Sequence, residues 1–85
     1  MNNVYIVERE DAFTGEWEID TVFADKDRAT SYAADIIVSH WSPDDNELWE
    51  EEMEETGKYI SKFDLAKKWA LDMENWVRVS EWDVD

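Results

Sequence analysis

Residues 44–55 read DDNELWEEEMEE, and eight of these twelve are acidic with no base among them. The segment reads as a helix. Ser42 can cap its start, Pro43 suits the first helical position, and Asp44 and Asp45 lie where the positive end of the helix dipole favours carboxylates. Thr56 and Gly57 supply a stop. On a helical projection Trp49 and Met53 share one narrow stripe, while the acids spread over the remaining circumference and flank Leu48. A helix of this kind can attach to a folded body along one thin edge only. Glu47, Glu50, Glu51, Glu54 and Glu55 then form its outward arc, with Asp44 and Asp45 at its start.

The 85 residues carry 23 Asp and Glu against 8 Lys and Arg, a net charge of -15. Acidity on this scale often accompanies disorder, but 44% hydrophobic residues and six tryptophans provide the apolar surface for a folded core. The expectation is a single compact acidic domain spanning residues 1–85, burying about 60 to 65% of the surface its unfolded chain exposes. A core of that size leaves little room for a large enzyme cleft. With no cysteine, neither disulfides nor thiolate metal sites can supplement it. The N-terminus lacks a basic region, and the apolar run Val4 to Val7 is too short for a leader or a span. The expected location is the cytoplasm. The negative field repels nucleic acid and anionic membranes and attracts basic proteins, so partners are expected to be basic.

Read in order, Asn3 to Glu10 (NVYIVERE) has the β-branched and aromatic content of a strand. Asp11 to Gly15 suits a hairpin loop with Phe13 at its tip. In EWEIDTVF, Trp17, Ile19 and Thr21 then alternate with Glu18, Asp20 and Val22, which predicts a second, antiparallel strand. Asp25 caps a helix over KDRATSYAADIIVSHW, whose Ala29, Tyr32, Ala33, Ile36, Ile37 and His40 recur at spacings of three and four. Residues 57–63 read as a connector, ambiguous between strand and helical turn. Asp64 is the expected cap of LAKKWALDMENW, with Leu65, Trp69, Met73 and Trp76 as its inner stripe. Lys62, Lys67 and Lys68 are expected to face the acidic helix. The terminal WVRVSEWDVD alternates, with Val77 and Val79 on one face and Trp76, Arg78, Ser80, Trp82 and Val84 on the other. The fold class expected is therefore α+β: a three-stranded antiparallel sheet, made of the N-terminal hairpin and a C-terminal strand, packed with about three helices.

No catalytic set emerges. His40 is the lone histidine, no serine partners it recognisably, and two glycines cannot build a phosphate loop. Neither DKDRATSYAADI nor DDNELWEEEMEE fits a calcium loop, since both lack the glycine at its sixth position. No enzyme activity, cofactor or metal is expected. What remains is the charge itself. At a rise of about 1.5 Å per residue, the acidic helix carries a negative charge about every 2.3 Å along its axis, against one phosphate about every 1.7 Å of duplex DNA. Leu48, Trp49 or an exposed Trp82 could add apolar contacts to such a surface; four of the six tryptophans are expected in the core.

In its short length, its lack of cysteine, its charge and the DDNELWEEEMEE block on an aromatic-rich domain, the chain resembles the small acidic inhibitors that bacteriophages encode against host nucleic-acid machinery, DNA mimics and anti-CRISPR proteins among them. The likeness lies in whole-chain properties. It implies occlusion of a basic DNA- or RNA-binding channel, as in a CRISPR effector, restriction enzyme or repair enzyme, through Asp44, Asp45, Glu47, Glu50, Glu51, Glu54 and Glu55, in the host cytoplasm. The opening VYIVERED with GEWEIDTVFADKDRA is also similar to small phage and bacterial proteins that have a hairpin followed by a helix. The other reading is a non-catalytic structural or adaptor module, in which acidic and tryptophan surfaces mediate protein assembly, homo-oligomers included.

Overall fold

In the computed structural model, which describes residues 2–84, the elements run β1 (Asn2–Glu10), β2 (Trp17–Phe23), α1 (Lys26–Ser39), α2 (Pro43–Thr56), α3 (Lys62–Leu71) and β3 (Val77–Val84). The strands form an antiparallel sheet in the order β2-β1-β3, so the C-terminal strand docks beside the first. This is the α+β arrangement expected from the alternation and helical periodicity of the sequence.

Asp11 organises the hairpin. Its carboxylate accepts the Phe13 and Thr14 N–H groups at 2.7 and 3.1 Å, and its carbonyl accepts Gly15 N–H at 2.9 Å. Gly15 adopts φ 73°, where a side chain would be strained. Further along, Val7 pairs with Thr21 but Glu8 pairs with Ile19, which leaves Asp20 as the extra residue of a bulge. The simple alternation expected of β2 is therefore broken. Trp17, Ile19 and Val22 fall on one face, and Thr21 and Phe23 turn to the other.

α1 contacts all three strands and α3, and α3 also packs on β3, so both helices lie on one side of the sheet. Between them the core consists of Val7, Ile37, Leu65, Trp69, Val77 and Val79 together with five alanines, Ala29, Ala33, Ala34, Ala66 and Ala70. Alanine at so many contact positions lets helix axes approach closely. Trp41 stacks on Trp69 with ring centroids 5.4 Å apart, and Trp49 and Trp76 pack against the same cluster, so four tryptophans are in or on the core. The long dimensions are 44 and 32 Å and the short one 17 Å, a slab of one sheet layer and one helix layer.

Several helix details differ from expectation. The buried face of α1 is Ala29, Thr30, Ala33, Ala34 and Ile37, whereas Tyr32 and His40 are exposed. The burial stripe is rotated because α1 must satisfy α3 as well as the sheet. The helix also ends at Ser39, with His40 as its cap, so Trp41 begins the next connection. α3 starts at Lys62 rather than after Asp64, because the Ser61 hydroxyl accepts the Asp64 N–H at 3.1 Å and provides an earlier cap. It ends at Leu71: Met73 takes φ 58°, and Glu74 N–H reaches back to the Trp69 carbonyl at 3.0 Å, closing the helix in a Schellman turn. Met73 is consequently 52% exposed and lies outside the core stripe expected for it. Trp76 precedes β3 and packs against the core from the connection. No helix among the described residues is long and apolar enough to cross a membrane.

Candidate functional site: the acidic helix

The termini of α2 are fixed by local chemistry. Ser42 Oγ accepts the Asp45 N–H at 3.1 Å and Asp45 Oδ2 accepts the Ser42 N–H at 3.1 Å, a reciprocal capping box. Pro43 occupies the first turn, and Gly57 closes the other end at φ 67° with its N–H on the Met53 carbonyl at 2.9 Å. Since α2 has no buried residue, what holds it is a single edge. Asp45, Asn46, Trp49, Glu52 and Met53 are its half-buried members, at the i, i+1, i+4, i+7, i+8 spacing of one helix face.

Trp49 is the principal anchor. Its indole N–H donates to the Ile60 carbonyl at 2.7 Å, tying α2 to the connection before α3. Lys62 Nζ lies 5.0 Å from the Trp49 ring centroid and 5.6 Å from that of Trp41, so one ammonium bridges two indoles on different segments. Lys68 pairs with Glu52 across the two helices at 3.5 Å. Lys67 instead pairs with Asp64 in its own helix at 3.3 Å. Of the three lysines expected to face α2, one neutralises a carboxylate there, one contacts its tryptophan and one turns away.

Of the seven residues singled out in the sequence, Asp44, Glu47, Glu50, Glu51, Glu54 and Glu55 are exposed. Asp45 is half-buried and committed to the cap, so it builds the helix start instead of offering a free charge. Among the described residues, Glu52 is the one α2 carboxylate in an ion pair. The exposed six therefore form a continuous anionic ridge with no counter-cation of its own, about 20 Å long for a 14-residue helix.

Beside the ridge lie one feature named from the sequence, the Leu48 side chain, and one that composition did not reveal. Leu48 is 51% exposed on the same helix. Next to it a groove of about 540 Å³ opens between α2 and the α3–β3 connection, walled by Leu48, Trp69, Met73, Trp76 and Trp17 and bordered by Glu10, Asp45 and Glu74. An aromatic wall with a carboxylate border matches the aliphatic stem and cationic head of arginine or lysine. Only the spacing of Trp69 and Trp76 hinted at it, and that spacing reads equally well as core.

His40 Nδ1 lies 3.0 Å from the Ile36 carbonyl and its ring meets Trp76 edge-on at 5.3 Å, the arrangement of a helix-terminal side chain. Among the described residues no cluster of three or more His, Asp or Glu is placed to hold a metal ion. The chain matches no family model, and no curated protein or solved structure is significantly similar to it.

Proposed function

We propose that this protein is a non-catalytic acidic inhibitor whose α2 ridge imitates the charge of a nucleic acid and occupies the basic DNA- or RNA-binding channel of a nucleic-acid enzyme, a CRISPR effector being one such target. The observation that carries this reading is the row of exposed, uncompensated carboxylates at Asp44, Glu47, Glu50, Glu51, Glu54 and Glu55. A solvated surface helix gains nothing from such a density of like charge. Repulsion between neighbours one turn apart costs stability, and a basic partner recovers that cost on binding. A channel evolved to bind phosphates meets six exposed carboxylates at about one per 3 Å, near the ~3.4 Å phosphate spacing of a single strand, releases its own counterions and is closed to its substrate. The groove beside Leu48 accepts an arginine or lysine of the target and adds a contact that duplex DNA lacks.

The test is affinity capture from a bacterial lysate, followed by binding measurements on the enriched protein. The expected outcome is enrichment of basic nucleic-acid-binding proteins, with affinity that falls as salt rises and is competed by duplex DNA or RNA. Reversing Glu50, Glu51, Glu54 and Glu55 to lysine abolishes binding. Enrichment of acidic or membrane proteins, or unchanged binding by the reversed variant, defeats the reading.

A further inference from the structure

The sheet has a second face that neither α1 nor α3 covers. Strand register places Ile6 beside Val22 and Val4 beside Trp82, with Ile19 opposite Glu8, all on the side away from the buried Val7, Val77 and Val79. On this face Ile19 is 63%, Val22 51%, Trp82 56% and Val84 44% exposed. Single exposed apolar side chains are ordinary, but here those of β2 and β3 are joined across the half-buried Val4 and Ile6 of β1. The patch they make is on the order of 400 Å², the size at which monomer surfaces are commonly functional.

We propose that the occupant of this face is a second copy of the chain, docked sheet on sheet about a two-fold axis. Charge decides between partners. The open face carries Glu8 and Glu10 against Arg78, a net charge of -1 in a chain of -15. Arg78 Nε meets Glu8 Oε1 at 3.3 Å, Ser80 donates to the same oxygen at 3.1 Å, and the Arg78 guanidinium lies 3.9 Å from the Trp17 ring centroid. A basic protein finds almost no complementary charge here and is drawn to the ridge on α2. Another copy of this chain is repelled by the acidic surfaces and finds in the open face a nearly neutral approach. Its one acid-base pair is self-complementary, because a two-fold axis can bring Arg78 of each copy toward Glu8 of the other. Two three-stranded faces bury on the order of 1,000 Å² in total, below the standard interface size, so the dimer is weak and concentration-dependent.

Its salt dependence is opposite in sign to that of the proposed inhibition. Screening removes the repulsion between two polyanions and strengthens the dimer, whereas it weakens capture of a basic target. Either property can therefore fail without the other.

Sedimentation velocity on the full chain, from micromolar to millimolar concentration, tests the proposal at low salt and at about 0.5 M NaCl. The expected result is a shift from monomer to dimer with concentration, at least about fivefold tighter in high salt. The double variant Ile19→Lys, Trp82→Lys should remain monomeric throughout with unchanged circular dichroism. A wild-type monomer at millimolar concentration in high salt overturns the proposal, as does a dimer that survives in the folded double variant. Should that variant not fold, isotope-filtered NOEs on mixed-labelled wild type decide. Contacts between open-face side chains of two copies support the dimer, and contacts confined to the outer edges of β2 or β3, or to α2, overturn it.

Discussion

Met73 occupies a left-handed conformation at φ 58°, a position helices usually give to glycine. Its side chain is half exposed, so it gains little burial in return for backbone strain. Met73→Gly is expected to raise stability by about 1 kcal/mol. Urea denaturation measures this, and a loss of stability would show that the side chain's place in the groove outweighs the strain. A second residue-scale feature is the bulge carboxylate. Asp20 accepts the Tyr32 hydroxyl at 2.6 Å and pairs with Arg9 at 3.3 Å, linking β1, β2 and α1. The hydrogen bond to Asp20 raises the Tyr32 pKa above its ordinary 10.0, with desolvation and the Asp20 charge acting in the same direction and Arg9 opposing. A raised folded-state pKa means that the folded protein holds the phenolic proton more tightly than the unfolded chain does. The resulting stability is complete below the unfolded tyrosine range and is lost as pH rises through the folded pKa. The stability difference between wild type and Tyr32→Phe should thus be constant below about pH 9 and shrink above about pH 10. A difference independent of pH across that window would rule the linkage out.

At the scale of elements, α2 and α3 are both short capped helices, and burial separates them. α3 buries Leu65, Ala66, Trp69 and Ala70, whereas α2 buries none of its residues and hangs on Trp49 and one ion pair. Glu47 with Glu51, Glu50 with Glu54 and Glu51 with Glu55 are like-charge pairs one turn apart, each unfavourable by about 0.2–0.5 kcal/mol. The amides of α2 are therefore expected to exchange faster with solvent than those of α1 and α3, and to gain protection as salt is added. Ser42→Ala removes half of the capping box and should lower α2 protection by about 1 kcal/mol without moving α3. Equal protection of α2 and α3 in wild type would contradict this account.

For the whole molecule, the 17 Å slab and the charge of -15 act together. One side of the sheet is covered and the other is open, so a limited core must resist repulsion spread over the entire surface. At about 0.1 M salt the screening length is about 10 Å, shorter than the long dimensions of the protein. The melting temperature is expected to climb between low salt and about 0.5 M NaCl, where screening reaches neighbouring side chains. A flat response, read by calorimetry at concentrations too low for dimer, would mean that the carboxylates are spaced widely enough not to oppose folding.

What the amino-acid sequence determined by itself is what neighbouring residues can decide. β-branched content marked β1, alternation marked β3 and the existence of β2 though not its bulge, spacings of three and four marked α1, and Ser42, Pro43 and Gly57 bounded α2, because caps and turns are satisfied within a few residues of the chain. The acidity of the ridge was equally plain, since no fold can bury so many carboxylates on one short helix. Tertiary structure decided which side of each element is covered. The burial stripe of α1 rotated because α3 lies against it, Asp20 bulged out of β2 where the hairpin twists toward Tyr32, and Lys67 turned away from α2 to its own Asp64. The apolar side of the sheet was open because both core helices pack on the same face, a fact written in contacts between residues dozens of positions apart. Such contacts depend on the packing of the whole chain, and local pattern does not contain them.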